Sequence, residues 1–292
     1  MFRTYSVTMT VCIAAKADDG KSLVLAADQM ATMYHITREA EGNHKIRKIT
    51  DHIFVLIAGD GMWGNEIVKR VEASKDSIAT VEECAQKVLE SYIAQRLMLV
   101  EQQFLHTRGM TLAGFHQSQT ALQPNIVGLI DQQIQTFSLD VSLLVAGIDP
   151  DEQARIYEVS TPGVTAEHGD MAAIGSGATH ATNSLLAREY TKEMERKKAV
   201  YSVYEAKARS EVAPGVGPRT DMILVTATTY RDLSDTTIQG LNDAYKSIVQ
   251  EEQEALEKIS ANLEIPENGE DQSTEYEGKE EENIEREAAI TT

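Results

Sequence analysis

Five residues in the sequence have the types that nucleophilic catalysis uses, and they occur in a fixed order along the chain. They are a hydroxyl at Thr10, a carboxylate at Asp28, an ammonium group at Lys45, and two further positions, Gly59 and Ser176. A threonine hydroxyl is a weak nucleophile at neutral pH and requires a neighbouring base. The set therefore suggests a nucleophile with groups that could activate it.

Each of these residues also has an ordinary explanation when it is taken alone. A threonine in an apolar segment is usually a β-former, and an aspartate after a strand is usually a turn residue or a cap. Lys45 lies near Arg47 and Lys48, so it could belong to a solvated basic stretch. Ser176 between two glycines could form a plain loop before a helix. Only the ordered set favours the catalytic interpretation.

Apolar segments predict the strands that would position these residues. Residues 9–16 and 22–27 read as two buried strands joined by a turn at 18–20, and Thr10 falls at the start of the first. A third strand covers 54–58 and ends at Gly59-Asp60-Gly61. Later strands are expected at 141–147, 155–159 and 222–226.

Helices are predicted between these strands from apolar residues at helical spacing. The predicted ranges are 62–73, about 81–104, 179–197 and 199–211. The resulting order is strands, two helices, strands, two helices and a strand. A single helix-covered sheet and a four-layer sandwich both fit this order, so the spacing alone leaves the fold open.

Short motifs around the five residues resemble proteasome β-subunits and their bacterial relatives HslV and Anbu. The matching segments include Thr10-Val11-Cys12-Ile13-Ala14, Leu25-Ala26-Ala27-Asp28, the lysine segment His44-Lys45-Ile46-Arg47-Lys48-Ile49, and Ala173-Ile174-Gly175-Ser176-Gly177. One such motif occurs by chance, but five in order at near-family spacing are specific. The resemblance covers about residues 9–228 and leaves the remainder unmatched.

The resemblance implies an α+β fold, the αββα sandwich of two antiparallel sheets found in N-terminal nucleophile hydrolases. It also implies that Thr10 is the nucleophile and that its own α-amine is the base, because an α-amine has a pKa of about 8. Lys45 would act as a nearby cation, and Asp28 would hold it in place. The Gly59 N–H would face the oxyanion, and Ser176 would bond near the amine.

This mechanism requires a free amino group on Thr10, and nine residues stand before it. The segment 1–9 is expected to be either a propeptide or the result of a start at Met9 followed by methionine removal, and Met9 in front of Thr10 favours the second route. Thr8 is a rival nucleophile. Asp28 follows Thr10 by 18 positions and Thr8 by 20, and the shorter spacing is closer to that of the family.

The match to the family is incomplete at two places. The family's second aspartate and serine are not evident near the end of the last helix, where Ser210 and Glu211 are the available substitutes. Met30 stands where the family often has arginine. By position, four residues could line the substrate pocket: Ala31, Asn43, Arg47 and Ile57.

The composition predicts a cytoplasmic protein with an acidic end. Residues 251–292 carry 15 acidic and 3 basic residues, a net charge of −12 out of −19 for the chain, which argues against nucleic acid as a partner. No apolar run has the length of a membrane span or signal peptide. The two cysteines, Cys12 and Cys84, are expected to be buried thiols, and neither cofactor nor metal is expected.

The expected domains are 10–229 as the hydrolase domain, 230–265 as a helical appendage that Asp235 would cap, and 266–292 as a disordered acidic tail. The appendage could pack on the core or contact a partner. The leading functional hypothesis is a threonine peptidase or amidohydrolase that acts on peptides or unfolded chains. The expected partners are copies of the chain in a ring and an ATP-dependent unfoldase. The alternatives are a peptide ligase that uses the same threonine and a catalytically silent structural subunit.

Overall fold

The structure, a computed structural model, describes residues 10–33, 36–39 and 44–263. Two five-stranded antiparallel sheets form its centre. The first sheet has the order β10-β1-β2-β11-β12, with strands Met171–Ile174, Cys12–Ala17, Ser22–Asp28, Thr220–Thr226 and Tyr230–Asp232. The second has the order β5-β6-β7-β8-β9, with strands Ile46–Lys48, Ile53–Gly59, Val141–Ile148, Ala154–Ser160 and Val164–His168. A separate hairpin joins β3 (Met30–Met33) to β4 (Ile36–Glu39).

Helices cover the outer faces of the two sheets. Four helices do so: α1 Gly61–Glu72, α2 Val81–Val100, α5 Ala178–Ala187 and α6 Arg196–Arg209. The other α-helices of the described residues are α3 Leu112–Ser118, α4 Pro124–Thr136 and α7 Asp235–Asn262. Helices α1 and α2 pack on the second sheet, and α5 and α6 pack on the first. Within the described part of the chain, no helix is long and apolar enough to span a membrane.

The apolar core lies in layers, between the two sheets and between a sheet and its helices. One apolar cluster fills the space between the sheets, with Leu25 and Cys12 of the first sheet facing Leu56 and Leu144 of the second. A second cluster lies between the second sheet and helices α1 and α2, and Tyr92 is buried there. The protein therefore has the αββα sandwich that the family resemblance implied.

Continuous apolar strands were predicted well, and two expectations about the ends of elements were wrong. Strand β1 begins at Cys12 rather than at residue 9, so Thr10 lies just before it. The Thr10 carbonyl accepts the Gly177 N–H (3.1 Å), which directs this stretch of backbone to a loop. The predicted cap Asp235 is the first residue of α7, and the Ser234 hydroxyl accepts the Thr237 N–H (3.3 Å) instead.

The helix predicted over 179–197 is also wrong, because α5 ends at Ala187. Glu189 adopts a left-handed conformation (φ 51°), which terminates the helix, and the Tyr190 N–H returns to the Leu185 carbonyl at 3.1 Å. The Tyr190 side chain then turns into the protein, where its hydroxyl donates to the Lys16 carbonyl oxygen at 2.8 Å. This contact ties the segment after α5 to the end of β1.

The chain divides into one compact unit that ends at Asp243 and a second that begins at Ala244. The described part of the second unit is the remainder of α7, which has no buried residue along its length. The division predicted at residue 230 rested on composition and stays a prediction. Segments 1–9 and 266–292 lie outside the described residues.

We expect Tyr190→Phe to lower the free energy of unfolding by about 1–3 kcal/mol, because it leaves a buried carbonyl without its donor. Urea unfolding would measure the change. Tyr157→Phe is the matched control, since its hydroxyl has no hydrogen-bond partner among the described residues, and we expect a change below about 0.5 kcal/mol. Equal effects of the two substitutions would contradict the assigned role of Tyr190.

Candidate active site

Thr10, Asp28 and Lys45 meet in one buried cluster. The Thr10 hydroxyl donates to Asp28 Oδ1 at 2.6 Å, and Lys45 Nζ donates both to Thr10 Oγ1 and to Asp28 Oδ1, the latter at 2.7 Å. The side chain of Asp28 is fully buried and that of Lys45 is 10% exposed. The hydroxyl is therefore held between a carboxylate and an ammonium group, out of contact with bulk water.

Secondary structure brings the three residues together from distant positions. Asp28 ends β2, and its N–H donates to the Val11 carbonyl at 3.3 Å, which sets it beside the start of β1. Lys45 directly precedes β5, and its carbonyl accepts the Ile57 N–H of β6 at 2.9 Å. Thr10 and Asp28 thus come from the first sheet, whereas Lys45 comes from the second.

Both carboxylate oxygens of Asp28 have several donors. Oδ1 also accepts the Val11 N–H at 2.9 Å. Oδ2 accepts the Met30 N–H at 3.0 Å, as in an Asx turn, and the Gly217 N–H at 3.3 Å. This set of donors satisfies a buried anion, which would otherwise be costly.

Ser176 lies on the other side of Thr10. Its Oγ accepts the Thr10 N–H at 3.1 Å and lies 3.1 Å from the Pro214 carbonyl oxygen, to which it donates. The hydroxyl therefore stands where it would contact an amino group on Thr10. The role toward the α-amine that the family resemblance gave to Ser176 stays a prediction.

The glycines around Ser176 allow the loop to approach Thr10 closely. Gly175 has a φ of 97°, and a Cβ there would lie 2.3 Å from the Thr10 carbonyl oxygen. A side chain at this position would therefore displace the residue that carries the hydroxyl. The Gly-Ser-Gly motif therefore contributes the Ser176 hydroxyl and also a glycine that the close approach to Thr10 requires.

Gly59 ends β6 and has a φ of 103°. A Cβ there would lie 2.0 Å from the Asp140 carbonyl oxygen, so only glycine fits. The next residue, Asp60, caps α1 by accepting the N–H groups of Met62 (2.9 Å) and Trp63 (3.3 Å). The conformation of Gly59 is thus fixed, and its role toward an oxyanion stays a prediction.

Cys12 borders the cluster without the features of a reactive thiol. It is fully buried, and its Sγ donates to the Ile57 carbonyl at 3.4 Å. Burial raises the pKa of the Cys12 thiol to about 12, although the Lys45 charge opposes this shift. The thiol is therefore protonated near neutral pH and lacks the thiolate form that a nucleophilic cysteine needs.

The substitutes considered for the family's second aspartate and serine lie elsewhere. Glu211 Oε1 pairs with Lys207 Nζ at 2.7 Å, and the Ser210 hydroxyl donates to the Lys207 carbonyl at 2.6 Å. Among the described residues, neither side chain bonds to Thr10. Sequence reasoning also missed two residues near Asp28: Gly217, whose N–H donates to Asp28 Oδ2, and Lys207, which donates to the Gly217 carbonyl. The available signal was the glycine- and proline-rich run at 214–218.

The residues considered for the substrate pocket are only partly described. Arg47 is engaged by Asn65 (2.8 Å) and Glu72 (2.9 Å), and Ile57 is 6% exposed in the core beneath α1. The side chains of Ala31 and Asn43 lie outside the described residues. Across residues 10–33, 36–39 and 44–263, no group of three or more histidine, cysteine or acidic side chains is placed to hold a metal ion.

An αββα sandwich that carries a threonine, lysine and aspartate cluster where its two sheets meet defines the class of proteasome-like N-terminal nucleophile hydrolases. The family model described as proteasome subunit matches residues 8–114 and 127–210. The chain belongs to the proteasome subunit family. No curated protein matches the chain in a sequence comparison.

We expect Gly175→Ala to destabilise the fold by about 2–4 kcal/mol, through the strained conformation and the clash with Thr10. Denaturant unfolding would measure it. Gly169→Ala is the control, because its Cβ would meet nothing within 4 Å, and we expect a change below about 0.5 kcal/mol. If Gly175→Ala were as stable as the control, the close approach to Thr10 would be wrong.

Proposed function

We propose that the protein is a threonine peptidase or amidohydrolase that works through an acyl-enzyme on Thr10. The observation that carries this proposal is the position of Thr10 Oγ1, which donates to Asp28 and accepts from Lys45 in a buried site. Family membership supports the class of protein. The contacts of Thr10 support the activity.

In the proposed reaction, Thr10 Oγ attacks the carbonyl carbon of a peptide bond while its proton passes to the α-amine of the same residue. The Lys45 ammonium stabilises the negative charge that develops on Oγ. The carbon–nitrogen bond then breaks, and the leaving amine takes up the proton. Water attacks the resulting ester, releases the second product and restores the hydroxyl.

This chemistry depends on the nitrogen of Thr10 being an amine. While a peptide bond joins Met9 to Thr10, that nitrogen is an amide and has no basic lone pair. The Thr10 N–H already contacts Ser176 Oγ at 3.1 Å, so an amine formed there would have a hydrogen-bond partner in place. We therefore propose that the site is active only when Thr10 is the first residue, either after cleavage of residues 1–9 or after a start at Met9 and removal of that methionine.

The buried ion pair favours an enzyme over a silent structural subunit. Removing two charges from water costs several kcal/mol for each ion, and apolar residues of similar volume often replace such pairs without loss of stability. Stability alone therefore does not explain why Lys45 and Asp28 are buried here. Their contact with one threonine hydroxyl supplies a purpose.

The wider setting of the activity follows from the family. We propose that the chain assembles with further copies of itself into a ring and acts on peptides or unfolded proteins in the cytoplasm. An ATP-dependent unfoldase would unfold folded proteins and supply them as substrates. A ligase would share the acyl-enzyme and differ only in the group that attacks it, an amine instead of water.

We expect Thr10→Ala to reduce peptidase activity on the order of 10³-fold or more while the fold remains, because the nucleophile is lost and Lys45 stays paired with Asp28. Release of a fluorescent amine from a panel of short peptides would measure activity, and circular dichroism would check the fold. Thr8→Ala is the control and should retain activity.

Two other outcomes would contradict parts of the proposal. Full activity in Thr10→Ala would rule out Thr10 as the nucleophile, and loss of activity in Thr8→Ala alone would transfer the role to Thr8. A new peptide bond formed in the presence of an added amine, in preference to hydrolysis, would identify the ligase.

A further inference from the structure

Lys207 is a fully buried cation that the proposed reaction does not use. It lies near the end of α6, and its side chain has no solvent exposure. Burial lowers the pKa of Lys207, and the hydrogen bond that its ammonium donates to Glu211 opposes this effect. Buried lysines are rare unless their charge and donors are satisfied.

All three donors of the Lys207 ammonium have acceptors. Nζ donates to Glu211 Oε1 at 2.7 Å, to the Gly217 carbonyl oxygen at 2.6 Å and to the Pro218 carbonyl oxygen at 2.9 Å. An ammonium group has three N–H donors and no acceptor, so this arrangement uses it fully. The lysine thus clamps two consecutive carbonyls of the loop between α6 and β11.

The clamped loop reaches the active site through its backbone. The Gly217 N–H donates to Asp28 Oδ2 at 3.3 Å, and the Arg219 carbonyl accepts the Gln29 N–H at 3.3 Å. The loop therefore contacts the chain at Asp28 and at the residue after it. Lys207 holds the Gly217 carbonyl, which belongs to the peptide group after the one whose N–H meets Asp28. Gly217 is therefore bonded on both sides of its Cα.

The orientation of Asp28 depends on both of its oxygens. Oδ1 serves Thr10, Lys45 and the Val11 N–H, whereas Oδ2 is held by the N–H groups of Met30 and Gly217. A rotation of the carboxylate would take Oδ1 away from the nucleophile. The bonds to Oδ2 oppose that rotation.

We propose that Lys207 is a positioning residue for the reaction proposed above: it fixes Gly217 so that Asp28 keeps Oδ1 on Thr10 and Lys45. This inference rests on the proposed function. Glu211 supplies the counter-charge, so the second buried lysine adds no net charge beside the first. Lys207 reaches the reacting atoms only through Gly217 and Asp28.

The test compares Lys207→Met with Lys197→Met in the protein obtained from the full sequence. Methionine has nearly the length of lysine and no donor, and Lys197 is an exposed lysine on the same helix. For Lys207→Met we expect kcat to fall on the order of 10- to 100-fold with KM within about threefold, because small misplacements of catalytic groups are costly and no substrate contact is removed. Lys197→Met should match the wild type.

A second readout is independent of activity. Hydrogen–deuterium exchange of the segment 213–219, whose two prolines carry no amide hydrogen, reports on the Gly217 N–H. We expect this amide to exchange faster in Lys207→Met and to remain protected in Lys197→Met.

Should Lys207→Met fail to fold, Lys207→Gln and Lys207→Arg supply the same comparison, because kcat and the protection of Gly217 should change together in every folded variant. Full kcat with protection lost, or kcat lost with protection retained, would overturn the inference. A wild type that neither cleaves peptides nor forms an acyl-enzyme would instead overturn the proposed function. The exchange experiment would still decide whether Lys207 holds the loop.

Discussion

The site depends on an ion pair that the protein keeps away from water. Asp28 is completely buried and Lys45 nearly so, and each carries a charge that would be unfavourable there without the other. The hydroxyl of Thr10 is their shared partner. The surrounding backbone donates hydrogen bonds to Asp28 and leaves the Thr10 hydroxyl between the two charges.

Residues at the ends of strands in both sheets supply the pair and its donors. Register places Asp28 at the last pairing of β2 with β11, opposite Thr220, and the Val11 N–H reaches the same carboxylate from the start of β1. Lys45 enters from the second sheet. Two loops then complete the shell, one with Ser176 and one with Gly217. The candidate site is therefore built from backbone donors as much as from side chains.

The sequence predicts the long buried strands because their apolar runs are continuous, as in β2, β6 and β7. It misses short or exposed strands such as β9, which has no buried residue, and the short edge strand β12, whose three residues carry no clear alternation. It also misses α3 and α4. Local patterns are weak wherever a segment buries few residues, because tertiary contacts decide its conformation there.

The order of the family motifs along the sequence predicted four residues that the structure places in one cluster. Thr10, Asp28, Lys45 and Ser176 are joined by hydrogen bonds in the structure, although 166 positions separate the first from the last. Lys207 was not predictable, since a lysine between two alanines in a polar helix looks solvent-exposed. Lys207 is buried because the loop after α6 folds back over it, and the spacing of apolar residues in the sequence does not reveal that packing.

The most direct test of the central claim is the intact mass of the natively expressed, untagged chain. If Thr10 is the nucleophile, the mature protein should begin at that residue, and the mass should correspond to residues 10–292. A mass that retains residues 1–9 would leave the Thr10 nitrogen as an amide without basicity. That result would contradict the account of Thr10 as an activated nucleophile and favour a structural role for the subunit.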